Sequence, residues 1–334
     1  MSTAAIPGAP LPVRTPGSRA RGRHRRPDRS ELPAGAPGLV LAVPAEATPE
    51  TLRLVDEILS MVRGEQPGVE VAAGWLSGPA EPTGASDDEG HGTSEEDRAA
   101  DGTSDEGRYG TGRPEPAAPS VAQLVLGAVE AGLSAPVVVP LLFGPHEFLT
   151  VLHKLSAETG AVVTDVLGPH PLLAEAVHVR LSEAGLARAD RARLFAITTA
   201  ADGVVLTTVG GEEAAAAAGI TGVLLAARLA VPVVAAALDV PGSVAAAVEH
   251  LRATGSQRPA LAPLVIGPEA PAELLAEAGA QTGCPAAEAV GAYSTIGQLI
   301  AGHYLTALVP LIDAQVLAAQ AEAAAQAQAD DAGE

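Results

Sequence analysis

Two long stretches of the chain carry the same succession of apolar patterns. LVLAV at 39–43 is a short apolar run of the kind a buried strand shows. It is followed by LRLVDEILSMVR at 52–63, whose apolar residues recur at helical spacing, with Thr48 placed to cap that helix and Pro49 suited to its first position. VEVAAGWL at 69–76 predicts a second strand, residues 120–131 a helix, and APVVVPLLF at 135–143 a continuous apolar run typical of a fully buried parallel strand. The order then recurs in GVVLTTV (203–209), a helix ending LLAARL (224–229), VPVVAAAL (231–238), SVAAAVEHLRA (243–253) and ALAPLVI (260–266). Two βαβαβ units in series predict an α/β fold of two tandem doubly wound parallel-sheet domains related by an internal repeat.

The register of the repeat locates what lies outside it. From Ser120/Ser243 to Gly168/Gly291 the halves align without a gap at an offset of 123, through Pro140/Pro263, Gly144/Gly267 and Pro145/Pro268. At the front, Gly38–Leu41 matches Gly203–Leu206 at an offset of 165, so the first half holds 42 extra residues. Residues 81–119 account for nearly all of them. That segment has eleven acidic and three basic residues and almost no large apolar ones, a composition that predicts a disordered insertion. It lacks the regular ligand spacing of a calcium loop. The expected organisation is a disordered basic tail at 1–36, one domain at 37–190 carrying the insertion, a second at 200–309, and an Ala/Gln-rich tail at 310–334.

Composition narrows the chemistry. Aromatic residues make up 2% of the chain, so the core must be built from Val, Leu and Ala. A net charge of −20 argues against a nucleic-acid surface, since the seven arginines of RTPGSRARGRHRRPDRS (14–30) belong to the tail and not to a folded face. That tail followed by GLVLAV imitates a signal peptide. The apolar run is short for one, however, and its counterpart GVVLTTV lies deep in the chain. No apolar run reaches the roughly 20 residues of a membrane span. The single cysteine, Cys284, excludes an internal disulfide and Cys-based zinc sites within one chain, and a cytoplasmic location is expected. Nothing in the sequence fixes an oligomeric state.

In doubly wound sheets, ligands bind beyond the carboxyl ends of the strands. PLLFGPHEF (140–148) and PLVIGPEAP (263–271) each end an apolar run in Gly-Pro at that place and then present one polar residue, His146 or Glu269. Together with LVLAVPAEATP (39–49) and LGPHPLLAEAVHVRL (167–181), VVVPLLFGPHEF (137–148) resembles segments of the tandem class II metallochelatases, the CbiX-type sirohydrochlorin cobalt- or ferrochelatases of cobalamin and siroheme synthesis. The resemblance covers about residues 38–308 outside the insertion, and the Leu-Gly-Pro-His-Pro turn is its most specific part. It implies a lyase that inserts cobalt, iron or nickel as a divalent substrate into a tetrapyrrole, with no permanently bound cofactor, no nucleic acid and no membrane. It also implies His146 as the catalytic imidazole and places His170 in the family's turn, a candidate to meet the substrate. Oxygen ligands complement nitrogen in transient first-row sites, which makes Glu46 and Glu269 candidate further metal ligands, and a carboxylate-rich substrate on an acidic protein needs local cations, which makes Lys154 a candidate substrate residue.

The departures from the family are specific. Where its opening strand runs into His-Gly-Ser, with a catalytic first histidine, this chain has Pro44-Ala45-Glu46 in one half and Val209-Gly210-Gly211 in the other. The loop before His146 is shorter than the family's. One neutral imidazole is still both a base and a ligand for first-row metals, and a carboxylate can share the metal. A non-catalytic tetrapyrrole or metal binder of the same descent is the alternative, and a docking protein using its charged segments is a third. For single residues, His170 reads as a helix cap or turn residue ahead of a catalytic one, and Lys154, the chain's one lysine, and Arg180 as surface charge ahead of substrate ligands. His153, His178, His250 and His303 read as partly exposed helix residues, while His24 and His91 fall in segments of disordered composition. Gly210-Gly211 lacks the spacing of a phosphate loop, and Cys284 has no basic partner nearby in sequence, which predicts an inert thiol.

Overall fold

The structure, a computed structural model, describes residues 35–76, 118–187 and 200–331. The expectations of disorder for the basic tail and the acidic insertion fall almost wholly outside those residues, as do His24 and His91. The repeat itself is realised element for element. β1 (Leu39–Val43), α1 (Pro49–Glu65), β2 (Val71–Trp75), α2 (Val121–Glu130), β3 (Val137–Pro140), α3 (Phe148–Thr159) and α4 (Pro171–Glu183) make up the first series. β4 (Gly203–Thr208), α5 (Gly211–Leu229), β5 (Val233–Ala237), α6 (Ser243–Ala253), β6 (Pro259–Pro263), α7 (Ala272–Thr282) and α8 (Ser294–Asp331) make up the second. Thr48 caps α1 in a reciprocal box with Thr51, and Ser120 caps α2 in another with Gln123.

The strands form two parallel sheets, ordered β2-β1-β3 and β5-β4-β6. The register repeats too: Leu39 pairs with Val71 and Val137, and its counterpart Val204 pairs with Val233 and Ala260. A single bridge extends each sheet beyond its third strand, Val138 with Val163 and Leu261 with Ala286, positions related by the offset of 123. The backbone N–H of Trp75 donates to Pro119 across 3.0 Å, so the chain leaves and re-enters sheet one at the same point on either side of the acidic segment.

On one face of the first sheet α2 and α3 bury Val121, Val125, Leu152 and Leu155 against Val40, Ala42 and Val138. α6 covers the equivalent face of the second with Val244, Val248 and Leu251, joined by Ala278 of α7. The opposite faces are covered by exchange: α8 packs beside α1 on β3, and α4 packs beside α5 on β6. Each repeat lends its last helix to the other, and both lie in one packing unit, Gly35–Glu334. The approach is close, since a Cβ on Gly297 of α8 would lie 2.8 Å from that of Met61 in α1.

α8 continues through Pro310, so the Ala/Gln-rich segment begins inside a helix. Its portion Ser294–Ala314 is long and apolar enough to cross a membrane by length and composition, with Gln298, His303 and Asp313 interrupting any continuous apolar run. Packing accounts for part of that character: Ile296, Leu299, Ile300, Tyr304 and Leu308 are buried, each worth about 1.5–3 kcal/mol when fully withdrawn from water. The Tyr304 hydroxyl donates to the Pro37 carbonyl at 2.6 Å and ties α8 to the start of β1.

Candidate functional site

The topology places a crevice in each sheet. From β1 the chain runs to β2 on one side, whereas from β3 it runs the other way, to the bridge at Val163, so the loops after β1 and β3 separate at the carboxyl ends of adjacent strands. Pro44–Thr48 and the His146 loop flank that point in the first sheet. Val209–Gly211 and the Glu269 loop flank its equivalent in the second. The two rims also touch. Gly210 has φ of 108°, and a Cβ there would lie 2.3 Å from the Pro145 carbonyl, so only glycine lets the His146 loop settle on the start of α5. In return, a Cβ on Gly267 would lie 3.6 Å from Leu54 of α1.

His146 is half-buried immediately before α3. Its ring stacks on Phe148, with centroids 4.9 Å apart and planes 9° from parallel. Its Nδ1 accepts the Phe148 backbone N–H at 3.4 Å, a long contact. That bond assigns the neutral ring's hydrogen to Nε2. Proton uptake therefore falls to Nδ1, and a bond of that length costs little to release.

In the second half the rim closes on itself. Asp239, just beyond β5, accepts the N–H of Gly210 at 2.8 Å and of Gly211 at 3.0 Å, so a carboxylate occupies the amino end of α5. Glu269 turns back on its own loop and accepts the N–H of Ile266 through one oxygen and of Gly267, at 2.8 Å, through the other. Burial pushes its pKa up to about 7, against the opposing pull of those N–H groups.

No known family model matches the chain, and none of the curated proteins does so significantly. Among solved structures, SirB from Bacillus subtilis with Fe3+ is similar in fold, at 12% identity and a TM-score of 0.50, covering 80% of this chain and 94% of that one. This chain has a chelatase-like fold. A putative Asp/Glu racemase from Yersinia pestis also matches, at 11% identity and a TM-score of 0.26 over 80% of this chain and 99% of that one, a likeness too slight to carry any argument.

The residues singled out from sequence are dispersed. His146 and Glu46 flank the crevice of the first sheet. Glu46 is exposed, and its carbonyl accepts the Thr51 hydroxyl at 2.7 Å. Glu269 lies on the other rim with both oxygens engaged. His170 caps α4, its Nδ1 accepting the Leu172 N–H at 3.1 Å. The Lys154 side chain is 78% exposed, 4.0 Å from Glu158 on the same helix. Among the described residues no hydrogen bond or ion pair joins any two of the five, and no three His, Cys, Asp or Glu converge to hold a metal ion.

His178, read as partly exposed, is in fact buried where α4 meets α5, and its Nδ1 accepts Arg228 Nε at 2.8 Å. Cys284 is buried and unpaired by any disulfide. Two rim groups escaped the sequence reading. Asp239 directly follows an apolar strand, a position that doubly wound sheets reserve for their ligand edge. Trp75, the one tryptophan, ends β2 with a buried indole N–H that no described group accepts.

Proposed function

We propose that the chain binds a carboxylate-rich tetrapyrrole of the sirohydrochlorin class at the crevice of the first sheet and inserts a divalent iron or cobalt ion into it. The observation that carries this reading is the placement of His146 at the carboxyl end of β3, beside the switch point, in a chelatase-like fold. The resemblance of the segments around His146 and His170 to the chelatase family supports it, as does the Fe3+ of the structural neighbour.

Insertion exchanges two pyrrole protons for one metal ion. The neutral His146 ring would take one of them at Nδ1, giving up the Phe148 N–H, and the second would leave through solvent. Because the protein carries a net charge of −20, attraction of the anionic substrate must come from local donors.

A second reading, a binder without turnover, is favoured by one observation: the carboxylate that would share the metal, Glu269, is committed to Ile266 and Gly267. Absorbance titration of the full chain with sirohydrochlorin, with and without Fe2+ or Co2+, separates the readings. A chelatase shows catalytic conversion to the metallated spectrum, a binder shows a stoichiometric shift unaffected by metal, and an unchanged spectrum defeats both.

A further inference from the structure

The repeat offset of 123 makes α8 the counterpart of α4 and, residue by residue, His303 of Arg180, Asp165 of Glu288, Leu167 of Val290 and His170 of Tyr293. In the second repeat, Arg180 reaches across from α4. Its Nε and Nη2 donate to the Val290 carbonyl at 3.0 and 2.8 Å, Nη1 donates to Glu183 at 2.9 Å, and the side chain is 23% exposed. A guanidinium thus fills the space between the borrowed helix and the loop ahead of it.

In the first repeat the shorter His303 leaves that space open. A groove of about 550 Å³ lies between α8, the start of α4 and residues 162–165, and its polar lining is Thr164, Asp165, His170, Gln298, His303 and Thr306.

The lining selects a ligand class. Asp165 is its one formally charged residue, which disfavours an anion. Burial pushes the pKa of His303 below the usual histidine range, with His170 adding to that shift and Asp165 opposing it, which favours the neutral ring and its lone pair. His170 spends Nδ1 on the Leu172 N–H and therefore presents Nε2–H, which makes it a donor and not a metal ligand while it caps α4. Carboxylate, imidazole, amide and hydroxyl acceptors around an open space suit a planar cation with several N–H groups.

We propose that this groove binds a small molecule bearing a guanidinium or amidinium group, which takes in the first repeat the place that Arg180's own guanidinium takes in the second. The groove's lining includes His170 but neither His146 nor Glu46, and the proposal does not depend on the tetrapyrrole reading.

The test is a titration of the full chain, followed through the ring C–H resonances of His303 and His170. The probes are agmatine, putrescine as a diamine lacking the guanidinium, and Zn2+. Agmatine should shift both rings saturably and bind more than about tenfold tighter than putrescine, and Asp165→Asn, at an exposed position, should weaken it by more than about tenfold. His303→Arg should fill the groove, raise the thermal midpoint and abolish the agmatine response. Agmatine drift without saturation, equal response to putrescine, an Asp165→Asn variant that binds as well as the parent, or saturation by Zn2+ alone would each overturn the proposal.

Discussion

The carboxyl-end rims of the two sheets descend from one sequence pattern and are now wired differently. Around the second, two acids are turned inward: Asp239 on the N–H groups of Gly210 and Gly211, Glu269 on those of Ile266 and Gly267. Around the first, the His146 ring makes only a stacking contact and one long hydrogen bond, and the Trp75 indole N–H has no partner among the described residues. Backbone groups that a ligand could use are satisfied internally on one side, whereas on the other the His146 ring is held only weakly. The comparison teaches that duplication permits a division of labour: one rim is a brace, against which the other, through the contact of Gly210 with Pro145, holds its imidazole.

The sharpest break of that comparison is to remove the imidazole. His146→Ala is expected to lower metal insertion into sirohydrochlorin by about 10²–10⁴, the usual contribution of a positioned acid–base group. The thermal midpoint should barely move, since the ring is half-buried and carries no strong bond. Equal rates in the variant and the parent would remove the first rim's claim to chemistry.

Glu269 should behave in the opposite way, altering stability more than turnover. Glu269→Ala leaves the N–H groups of Ile266 and Gly267 without their acceptor, a loss of about 2 kcal/mol. The pH dependence carries a definite sign. With the folded pKa at about 7, above the unfolded value, the native state binds a proton that the unfolded chain has already released. The stability this confers is fully present below the unfolded pKa and is lost as pH rises through about 7. Urea unfolding of the parent and of Glu269→Gln at about pH 5 and about pH 8 should therefore show the parent losing ground to the variant at the higher pH. A gap that stays constant would place the Glu269 carboxyl in an ordinary environment.

A smaller loss is expected at Asp239. Asp239→Ala removes the acceptor from the amino end of α5, and loss of a helix cap costs about 1 kcal/mol. Any effect on metal insertion should be indirect and weaker than that of His146→Ala, because Asp239 braces the helix start on which the His146 loop rests. A rate as low as that of His146→Ala would make the second rim part of the chemistry and dissolve the division between them.

How much of this was legible in sequence follows from the range of each interaction. β1, α1, α6 and the constant register were readable because strand burial, Thr48-Pro49 capping and the 123-residue offset are local or periodic signals. The exchange of α4 and α8 was not, because an apolar helix face fits either sheet and only packing decides which. The same limit hid the burial of His178, whose partner Arg228 lies 50 residues away on α5. Asp239 and the Arg180–His303 correspondence left a signal: the first follows an apolar strand directly, and the second falls out of applying the repeat offset to a pair of helices. That Glu269 would fold back on its own loop left none, since a glutamate two residues past Gly267 is as free to face a ligand as to close the turn.

The smallest expected effect belongs to Lys154, where charge alone had pointed to substrate. On a protein carrying a net charge of −20, the single lysine, eight residues after His146, is an obvious anchor for a carboxylate-rich macrocycle. The side chain is nevertheless 78% exposed, and its nearest carboxylate is Glu158 one turn along α3, at 4.0 Å. A pair this exposed is screened by solvent and contributes little. Lys154→Ala should thus leave both the thermal midpoint and the sirohydrochlorin titration unchanged, and the affinity should weaken no more steeply with salt than in the parent. A marked loss of affinity confined to low ionic strength would show that the ammonium does reach the ligand. The open rim would then extend along α3, beyond the switch point at which the fold places it.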